Sequence, residues 1–298
     1  MQWEDRVYGD VAIDDPDVLA LIACPTFQRL KGIRQAGPSA FAYPFKTVTR
    51  FEHSLGVFLL LRRFGAPLRE QIAGLLHDVS HTAFSHAVDF VFTSEEQDYH
   101  EQLKSVFLNR PDLVEALVPT GFSPDDFLDD SIYPLLERPL PWLCADRLDY
   151  FLRDGMACGV VTPPTARRLL GGLVVIDQTI CFVNADVARE AVELFSVMNR
   201  DWWASPTESY IYNEFADALR EAVRLGALRA TDLFEDDAHV LEKLHEARSP
   251  LIEAKLKRVV EINASDLVGF VPKVVPKTRW IDPPVRVGSG YRRLSELS

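Results

Sequence analysis

"GLLHDVSHTAFSHAVDF", residues Gly74–Phe90, places three of the chain's seven histidines and two aspartates in one mostly apolar stretch. His77 and Asp78 directly follow the apolar helix pattern "QIAGLL". Burying an unpaired carboxylate there would cost free energy, whereas a bound cation or a hydrogen-bonded partner would offset that cost. The stretch therefore indicates a functional site at the end of a buried helix.

Histidines are concentrated in one part of the chain. Five of them, at positions 53, 77, 81, 86 and 100, lie in the first 100 residues, whereas His239 and His245 lie in a charged helix pattern. Residues three and four apart share one side of a helix, so His77 and Asp78 would each lie on the same side as His81. This arrangement suits a metal shell or a shared substrate pocket.

A polar stripe follows in "WLCADRLDYFLRDG", residues 142–155. Its polar residues have the spacing that normally marks the apolar side of a helix, at Asp146, Asp149, Tyr150, Arg153 and Asp154. Such a helix either exposes the stripe to water or lines a polar cavity with it. The spacing leaves both alternatives open.

Composition limits the classes of function. The chain has 298 residues, 47% of them hydrophobic, and a formal net charge of −12. These values suit a globular protein without membrane association and argue against an extended nucleic-acid-binding surface, so a phosphorylated ligand needs a local group of arginines. The four cysteines form no CxxC pair and no secretion signal is visible, so we expect a cytoplasmic protein.

The pattern of apolar residues predicts a mainly α protein. Helices are expected over residues 15–35 with an interruption at Pro25, and over 53–64, 69–79, 99–110, 143–158, 185–203 and 208–228. A hairpin is expected in "RVYGDVAID", and two short strands around the Asp177–Gln178 turn. The proline-containing tail after Val259 suggests extended segments that pack on the main body.

Several motifs, in order along the chain, resemble those of the HD-domain phosphohydrolases, close to the deoxynucleoside triphosphate triphosphohydrolases. They are "VYGDVAID", "FQRLKGIRQAG", "RFEHSLGV", "QIAGLLHDVSHTAFSH", "YHEQ" and "ADRLDYFLRD", with weaker matches at "ELFSVMNRDWW", "SYIYNEF" and "RWIDPPVRV". The resemblance implies an HD-type helical domain over residues 1–235. It further implies a helical and β appendage over 236–298, packed on the same body.

The same resemblance implies one divalent metal ion. Its ligands would be His53, His77, Asp78 and Asp146. Two imidazoles and two carboxylates suit manganese, iron, zinc or nickel, and also magnesium. Such an ion would polarise a phosphoryl oxygen and activate a bound water.

A catalytic group is implied by resemblance as well, formed by His86 with Asp89 and His100 with Glu101. In each pair, a carboxylate would orient an imidazole that delivers a proton to the leaving oxygen. Nine residues on an unbroken helix would place His86 opposite His77, so we expect the helix to break near residues 80–83. Relatives commonly have glycine and proline at the positions of Thr82 and Ala83, and this chain lacks that signature.

Substrate contacts carried over from the family complete the prediction. Phosphate would be bound by Arg50, His81, Arg147 and Tyr150. The sugar or base would be bound by Gln35, Asp154 and Tyr210, with Tyr212 as a competing position. Ala36 stands where the triphosphohydrolases carry leucine beside the nucleoside, and Arg50 could instead form a surface ion pair with Glu52 or another acid.

The expected function is metal-dependent hydrolysis of a deoxynucleoside triphosphate, or a related nucleotide, to nucleoside and triphosphate. Alternatives are hydrolysis of another small phosphate ester, a dinuclear-iron oxygenase that uses His81 and His100 for a second ion, and a non-catalytic nucleotide-binding regulator. The partner would be a nucleotide or another small phosphorylated molecule. The resemblance also suggests a homo-oligomer, although no segment specifies an interface.

Overall fold

The chain is mainly helical with two small β-sheets, which confirms the predicted fold class. The computed structural model describes residues 1–89, 91, 102–273 and 277–297. Within these residues the α-helices are α1 Pro16–Ala23, α2 Pro25–Gln28, α3 Ser39–Ala42, α4 Arg50–Arg63, α5 Leu68–Leu76, α6 Lys104–Leu108, α7 Pro111–Leu117, α8 Ala145–Ala157, α9 Pro163–Gly171, α10 Ala185–Met198, α11 Pro206–Arg224, α12 Asp237–Glu246 and α13 Pro250–Val260. A π-helical turn, Asn199–Trp203, extends α10.

The strands form a hairpin and a four-stranded sheet. Strands β1 Gln2–Asp5 and β2 Gly9–Ala12 are antiparallel, so the first hairpin begins a few residues before its predicted position. Strands β3 Leu173–Ile176 and β4 Thr179–Phe182 flank the predicted Asp177–Gln178 turn, where both residues have positive φ, as a type I′ turn requires. Strands β5 Pro284–Val287 and β6 Gly290–Arg293 complete the sheet in the order β3-β4-β5-β6.

Close packing of α4 with α5 and α8 brings the predicted site together. A Cβ atom at Gly74 on α5 would lie 2.3 Å from Leu61 Cδ1 on α4. A Cβ atom at Gly56 on α4 would lie 2.1 Å from both Asp149 Oδ1 and Arg153 Nη2 on α8. Because glycine has no side chain, the three helices can approach closely, and the ends that carry histidine and aspartate meet.

The expected break after α5 is present, slightly earlier than predicted. Helix α5 ends at Leu76, and the chain turns through residues 77–80 without a glycine or proline. Phe84 and Ser85 then adopt left-handed φ angles of 59° and 51°. The Phe84 amide donates to Asp237 Oδ1 over 2.6 Å, which holds this uncommon backbone in place. The break lets the residues that follow fold back toward the end of α5.

The segments on either side of residue 235 are packed together. Helix α11 shares an apolar cluster with α12 and α13, including Phe215, Val240 and Ile252. Strand β5 pairs with β4, with Val285 opposite Phe182. The division into 1–235 and 236–298 stays a prediction, and the contacts join both parts into one body.

Two expectations drawn from the composition concern membranes and cysteine pairing. Among the described residues, no helix combines the length and apolar character needed to cross a bilayer. All four cysteines, at positions 24, 144, 158 and 181, are described and carry free thiols.

Candidate metal centre and active site

Three of the four predicted metal ligands, His53, His77 and Asp146, lie close enough together to share one ion, and the fourth, Asp78, lies beside them. His53 lies on α4, His77 caps the end of α5, Asp78 follows it, and Asp146 lies in the first turn of α8. His53 Nε2 is 3.2 Å from His77 Nε2 and 2.9 Å from Asp146 Oδ1. The Asp78 carboxylate lies 3.7 Å from His53 Nε2 and 3.5 Å from His77 Nε2. Residues up to 93 positions apart thus gather around one small volume.

A buried carboxylate holds His53 in place. His53 Nδ1 lies 2.8 Å from Asp149 Oδ2, and Asp149 also accepts hydrogen bonds from Arg153 and from the Tyr8 hydroxyl. Burial raises the pKa of Asp149, but Arg153 and the His53 hydrogen bond lower it overall, so the carboxylate stays ionised. Because an ionised carboxylate only accepts, His53 Nδ1 donates, and Nε2 is the ring nitrogen that faces the centre and can bind a metal ion once it is deprotonated.

His77 is oriented in the same way by a backbone carbonyl. Its Nδ1 donates to Gly74 O over 2.8 Å, so its Nε2 also faces the centre. Two imidazole nitrogens thus face the carboxylates of Asp146 and Asp78, and the positive charge among them is supplied either by a bound metal ion or by protons on the imidazoles. The residues present therefore fit one divalent metal ion, and the donor set suits manganese, iron, zinc, nickel or magnesium.

Electrostatics at the centre also favour a cation. Burial lowers the pKa of His53, but hydrogen bonds with Asp146 and Asp149 raise it to about 10. Burial raises the pKa of Asp146, but hydrogen bonds from His53 and His77 lower it overall. Ionised carboxylates thus surround the two imidazoles in a place where water screens charge poorly.

Asp78 connects the centre to two residues predicted to bind phosphate. Arg50 Nη1 lies 2.7 Å from Asp78 Oδ2, and His81 Nε2 lies 3.2 Å from Asp78 Oδ1. Arg50 Nε donates to Ser85 Oγ over 3.0 Å. Arg50 therefore pairs with an acid, but the pair is with Asp78 and is buried in the site, whereas the alternative was an ion pair at the surface. Arg50 lies beside the metal ligands with its guanidinium already oriented.

The predicted catalytic pair of His86 and Asp89 is in contact. His86 Nδ1 lies 3.0 Å from Asp89 Oδ2, and the ring centroids of His86 and His81 are 5.0 Å apart. The His86 side chain is 33% exposed, whereas that of Asp89 is 2% exposed. A buried carboxylate thus orients a more accessible imidazole. The other predicted catalytic residues, His100 and Glu101, lie outside the described residues.

One cavity of about 600 Å³ joins these groups. Its walls contain most of the predicted site residues, namely Gln35, Arg50, His53, His77, Asp78, His81, His86, Asp146, Arg147, Tyr150 and Asp154. Of the polar stripe on α8, Asp146, Tyr150 and Asp154 face this space, while Asp149 and Arg153 are fully buried behind it. The stripe therefore lines a cavity.

Comparison with known proteins identifies the family. An HD-domain model matches residues 50–127, which contain His53, His77 and Asp78. The chain is 32% identical over 289 residues to "Metal-dependent phosphohydrolase cns2" of Cordyceps militaris, covering 94% of this chain and 84% of that protein. The chain belongs to the HD-domain metal-dependent phosphohydrolase family.

Two further matches give substrate and fold information about other proteins. The chain is 26% identical to the "Deoxynucleoside triphosphate triphosphohydrolase SAMHD1 homolog" of Dictyostelium discoideum, over 93% of this chain and 61% of that protein. A hypothetical protein from Aquifex aeolicus has a similar fold, with a TM-score of 0.74, 19% identity, and coverage of 100% of this chain and 92% of that one.

In this HD-domain phosphohydrolase a metal ion would be held by His53, His77, Asp78 and Asp146. When bound, such an ion would polarise a phosphoryl oxygen and lower the pKa of a water molecule. The protein's own residues orient the ligands of the ion and hold the proton for the leaving group. Burial raises the pKa of Asp78, but Arg50 and the neighbouring histidines lower it far below its usual value, which keeps this ligand ionised. His86 can hold a proton on the ring nitrogen that does not contact Asp89.

Arg147 and Tyr150, both predicted to bind phosphate, lie in the cavity wall and make different contacts with the protein. The Arg147 guanidinium donates to the backbone oxygens of Arg138 and Trp142, and it pairs with Glu137 over 3.5 Å. The Tyr150 ring packs edge-on against Trp203, with centroids 5.2 Å apart. Most hydrogen-bond donors of the Arg147 guanidinium are thus already engaged within the protein. Its role in phosphate binding stays a prediction.

Gln35 and Asp154, predicted to contact the sugar, meet although they are 119 residues apart. Gln35 Nε2 donates to Asp154 Oδ1 over 3.4 Å, and Trp203 Nε1 donates to Asp154 Oδ2 over 3.0 Å. Burial raises the pKa of Asp154 although the Trp203 hydrogen bond opposes this. Trp203, in the π-helical turn, is thus a second hydrogen-bond donor to Asp154, and the sequence did not predict this contact.

The prediction for Tyr210 is corrected in favour of Tyr212. Two positions along α11 turn a side chain through about 200°, so the two rings point in nearly opposite directions. Tyr212 lines the cavity, and its hydroxyl donates to Ala36 O over 3.1 Å. The Tyr210 ring packs against Phe270 away from the cavity, with centroids 5.0 Å apart.

Sequence reasoning missed further residues of the cavity wall. Lys46 Nζ donates to Ser39 Oγ over 2.6 Å and pairs with Glu208 over 3.0 Å, and both charged side chains are buried. Arg279 enters the wall from the carboxyl-terminal segment. Neither cation belongs to a periodic pattern. The available signal was the position of Arg279 inside the matched motif "RWIDPPVRV".

Proposed function

We propose that this HD-domain phosphohydrolase cleaves a phosphate ester or anhydride of a nucleotide. The first candidate reaction converts a deoxynucleoside triphosphate to the nucleoside and inorganic triphosphate. One observation carries the proposal: the Gln35–Asp154 pair, suited to sugar hydroxyls, lies in the same cavity as the metal ligands and His86. The relative from Dictyostelium discoideum, named as a deoxynucleoside triphosphate triphosphohydrolase, supports the same substrate class.

The residues divide the work of such a hydrolysis. Arg50 and His81 lie beside Asp78, where they can contact the oxygens of the reacting phosphate. Water adds to phosphorus, and the bond from phosphorus to the leaving oxygen breaks. His86, oriented by Asp89, gives its proton to that oxygen, which leaves as a hydroxyl group.

Local charge supports a phosphorylated substrate despite the net charge of −12. Cations that line the cavity are Lys46, Arg50, Lys104, Arg147, Lys277 and Arg279. Carboxylates line the same cavity, namely Asp78, Asp129, Asp130, Glu137, Asp146, Asp154 and Glu208. The requirement set by the acidic composition is therefore met by individual guanidinium and ammonium groups that can bind a phosphate, and not by a net positive charge of the cavity.

A small phosphate monoester is the second candidate. Asp154 already accepts hydrogen bonds from Gln35 and Trp203, and Arg147 already donates to backbone oxygens. These contacts reduce the polar groups offered to a sugar and to a long phosphate chain. They favour a substrate with fewer phosphates than a triphosphate.

A substrate panel tests both candidates. Metal-loaded protein is incubated with deoxynucleoside and ribonucleoside triphosphates, the matching monophosphates and p-nitrophenyl phosphate, and released triphosphate, pyrophosphate and phosphate are separated. The proposal expects turnover of at least one nucleotide, and His77→Ala protein serves as the inactive control.

Other outcomes of the panel would replace the proposal. Turnover of p-nitrophenyl phosphate alone would leave a general phosphoesterase. Tight nucleotide binding without turnover would indicate a regulatory module. Two irons per chain without any hydrolysis would favour the oxygenase.

A further inference from the structure

Most cations in the cavity are neutralised by a neighbouring carboxylate. Arg50 pairs with Asp78 and Lys46 with Glu208, over 2.7 and 3.0 Å. The two remaining pairs are Lys104 with Asp130 and Arg147 with Glu137. A substrate phosphate that approaches these four cations therefore meets side chains whose charge is already partly compensated.

Arg279 differs from these four cations. Its Nη1 donates to Lys277 O over 3.4 Å, and within the described part of the chain its guanidinium makes no ion pair. Its charge acts on two phenols of the cavity wall: burial raises the pKa of Tyr150 and of Tyr212, and Arg279 opposes the rise in both. Arg279 shares the cavity wall with Tyr150 and Tyr212, and its charge is uncompensated by a described carboxylate.

The backbone around Arg279 is held at several points. The Arg279 amide donates to Asn199 Oδ1 over 2.8 Å, and the Asp282 amide donates to Pro141 O over 3.1 Å. In this extended segment Ile281 is 5% exposed and Trp280 is 55% exposed. Side chains alternate along extended backbone, so Arg279 and Ile281 point to the same side, toward the protein. The position of Arg279 in the cavity wall follows from these anchors.

We propose that Arg279 is a substrate-binding residue that contacts phosphoryl oxygens of the ligand in this cavity. A planar guanidinium can give two parallel hydrogen bonds to one phosphate. Arg279 enters the cavity wall from the carboxyl-terminal segment, whereas Arg50 on α4 is paired with Asp78 beside the predicted metal ligands, so the two arginines would contact different oxygens of the substrate. This inference shares one assumption with the proposed function, namely that the ligand carries a phosphate. It adds a residue that binds that phosphate.

Binding of an inorganic anion tests the inference without relying on catalysis. Metal-loaded protein, with excess of the same free metal, is titrated with inorganic tripolyphosphate and with inorganic phosphate by calorimetry. Arg279→Gln should weaken tripolyphosphate binding by about 10- to 100-fold, the range expected for a hydrogen-bonded charge pair. Arg279→Lys should lie between wild type and Arg279→Gln, because lysine keeps the charge and loses the planar fork.

A matched control comes from the same segment. Arg286 lies on β5 with an exposed side chain, so Arg286→Gln removes one positive charge outside the cavity and should leave anion affinity unchanged. Metal content and melting temperature of each variant show whether the fold and the metal centre are retained. For a nucleotide that is turned over, Arg279→Gln should raise KM by about tenfold with a smaller change in kcat.

The two proposals fail in different ways. If tripolyphosphate binding depends on Arg279 but no nucleotide is hydrolysed, the proposed function is wrong and the binding role of Arg279 stands. If Arg279→Gln keeps its metal and binds tripolyphosphate as tightly as wild type, the binding role is overturned. The same conclusion follows if the metal-loaded wild type binds neither anion, or if Arg286→Gln weakens binding equally.

Discussion

The two ends of the cavity are built differently. At the metal end, side chains from α4, α5 and α8 bring four acceptor groups together, His53, His77, Asp78 and Asp146, with His53 and Asp146 only 2.9 Å apart. At the other end, called here the substrate end, Lys46 pairs with Glu208, and Gln35 and Trp203 both donate to Asp154. The metal end needs a positive charge among its ligands, whereas most polar groups of the substrate end are already paired, with Arg279 and Gln35 Oε1 as exceptions among the described residues.

The two ends should therefore differ in how strongly their stability depends on a bound ion or ligand. Acceptors that face one another need a shared positive charge, so we expect stability and activity at the metal end to depend on the ion. Donor and acceptor pairs that are already matched need no ligand to be stable. Changes at the substrate end should therefore affect which molecule binds more than whether the protein folds or holds metal.

The largest effect is expected when a metal ligand is removed. His77→Ala should lose bound metal and more than about 100-fold in kcat, because even residues behind the ligands typically contribute 10- to 100-fold. Elemental analysis and turnover of the best substrate measure both losses. His245→Ala is the control, since His245 is an exposed histidine paired with Glu253 on α13. Full metal content and activity in His77→Ala would show that the centre lies elsewhere.

Metal addition should stabilise the folded protein through the same four acceptors. At a free metal concentration 100 times Kd, the free energy of unfolding should rise by about 2.7 kcal/mol. Denaturation of chelator-treated protein, with and without added metal, measures this increment. His77→Ala should show little of the increment. Equal stability with and without metal would contradict the view that the metal end is incomplete alone.

A glycine behind the metal end gives the third test. Gly56→Ala places a methyl group where Asp149 Oδ1 and Arg153 Nη2 now lie, so both must move away from α4. Overpacking of this kind costs about 1–3 kcal/mol, and displacement of Asp149 should also weaken metal binding through His53.

Urea denaturation and metal titration measure the two effects of Gly56→Ala. Gly171→Ala is the matched control, because a Cβ atom there meets nothing within 4 Å. An effect on stability without any loss of metal affinity would show that Asp149 does not orient His53.

The sequence predicted the metal end better than the substrate end, for a physical reason. The resemblance supplied His53, His77, Asp78 and Asp146 as predicted metal ligands, and the requirement to return His86 to the site predicted the break after α5. The role of Asp149 behind His53 was not predicted, because only Arg153 shares its helix, while its partners His53 and Tyr8 come from other elements.

At the substrate end the contributing residues come from irregular segments. Lys46 follows a loop, Trp203 ends a π-helical turn, and Arg279 lies in an extended tail, so none of them has a periodic signal. The choice of Tyr210 over Tyr212 was an error of two positions on α11. A shift of two positions moves a side chain to nearly the opposite side of the helix. Which tyrosine faces the cavity is decided by tertiary contacts, of Tyr210 with Phe270 and of Tyr212 with Ala36.

The smallest effect is expected at the substrate end, from Trp203→Phe. This change removes the indole N–H that donates to Asp154 and keeps an aromatic ring beside Tyr150. A hydrogen bond of this kind contributes about 0.5–1.5 kcal/mol, so KM for a nucleotide should rise by about 2- to 12-fold. Metal content and the metal-dependent increment in stability should stay at wild-type values.

A substrate without a sugar separates a local effect at Asp154 from a general one. With p-nitrophenyl phosphate, Trp203→Phe should behave as wild type, because no hydroxyl group contacts Asp154. Trp280→Phe, which alters a ring that is 55% exposed, is the matched control for the substitution itself. Loss of metal in Trp203→Phe, or an equal rise in KM for both substrates, would mean that the two ends of the cavity are coupled. The comparison between an end that depends on an ion and an end whose polar groups are mostly paired would then fail.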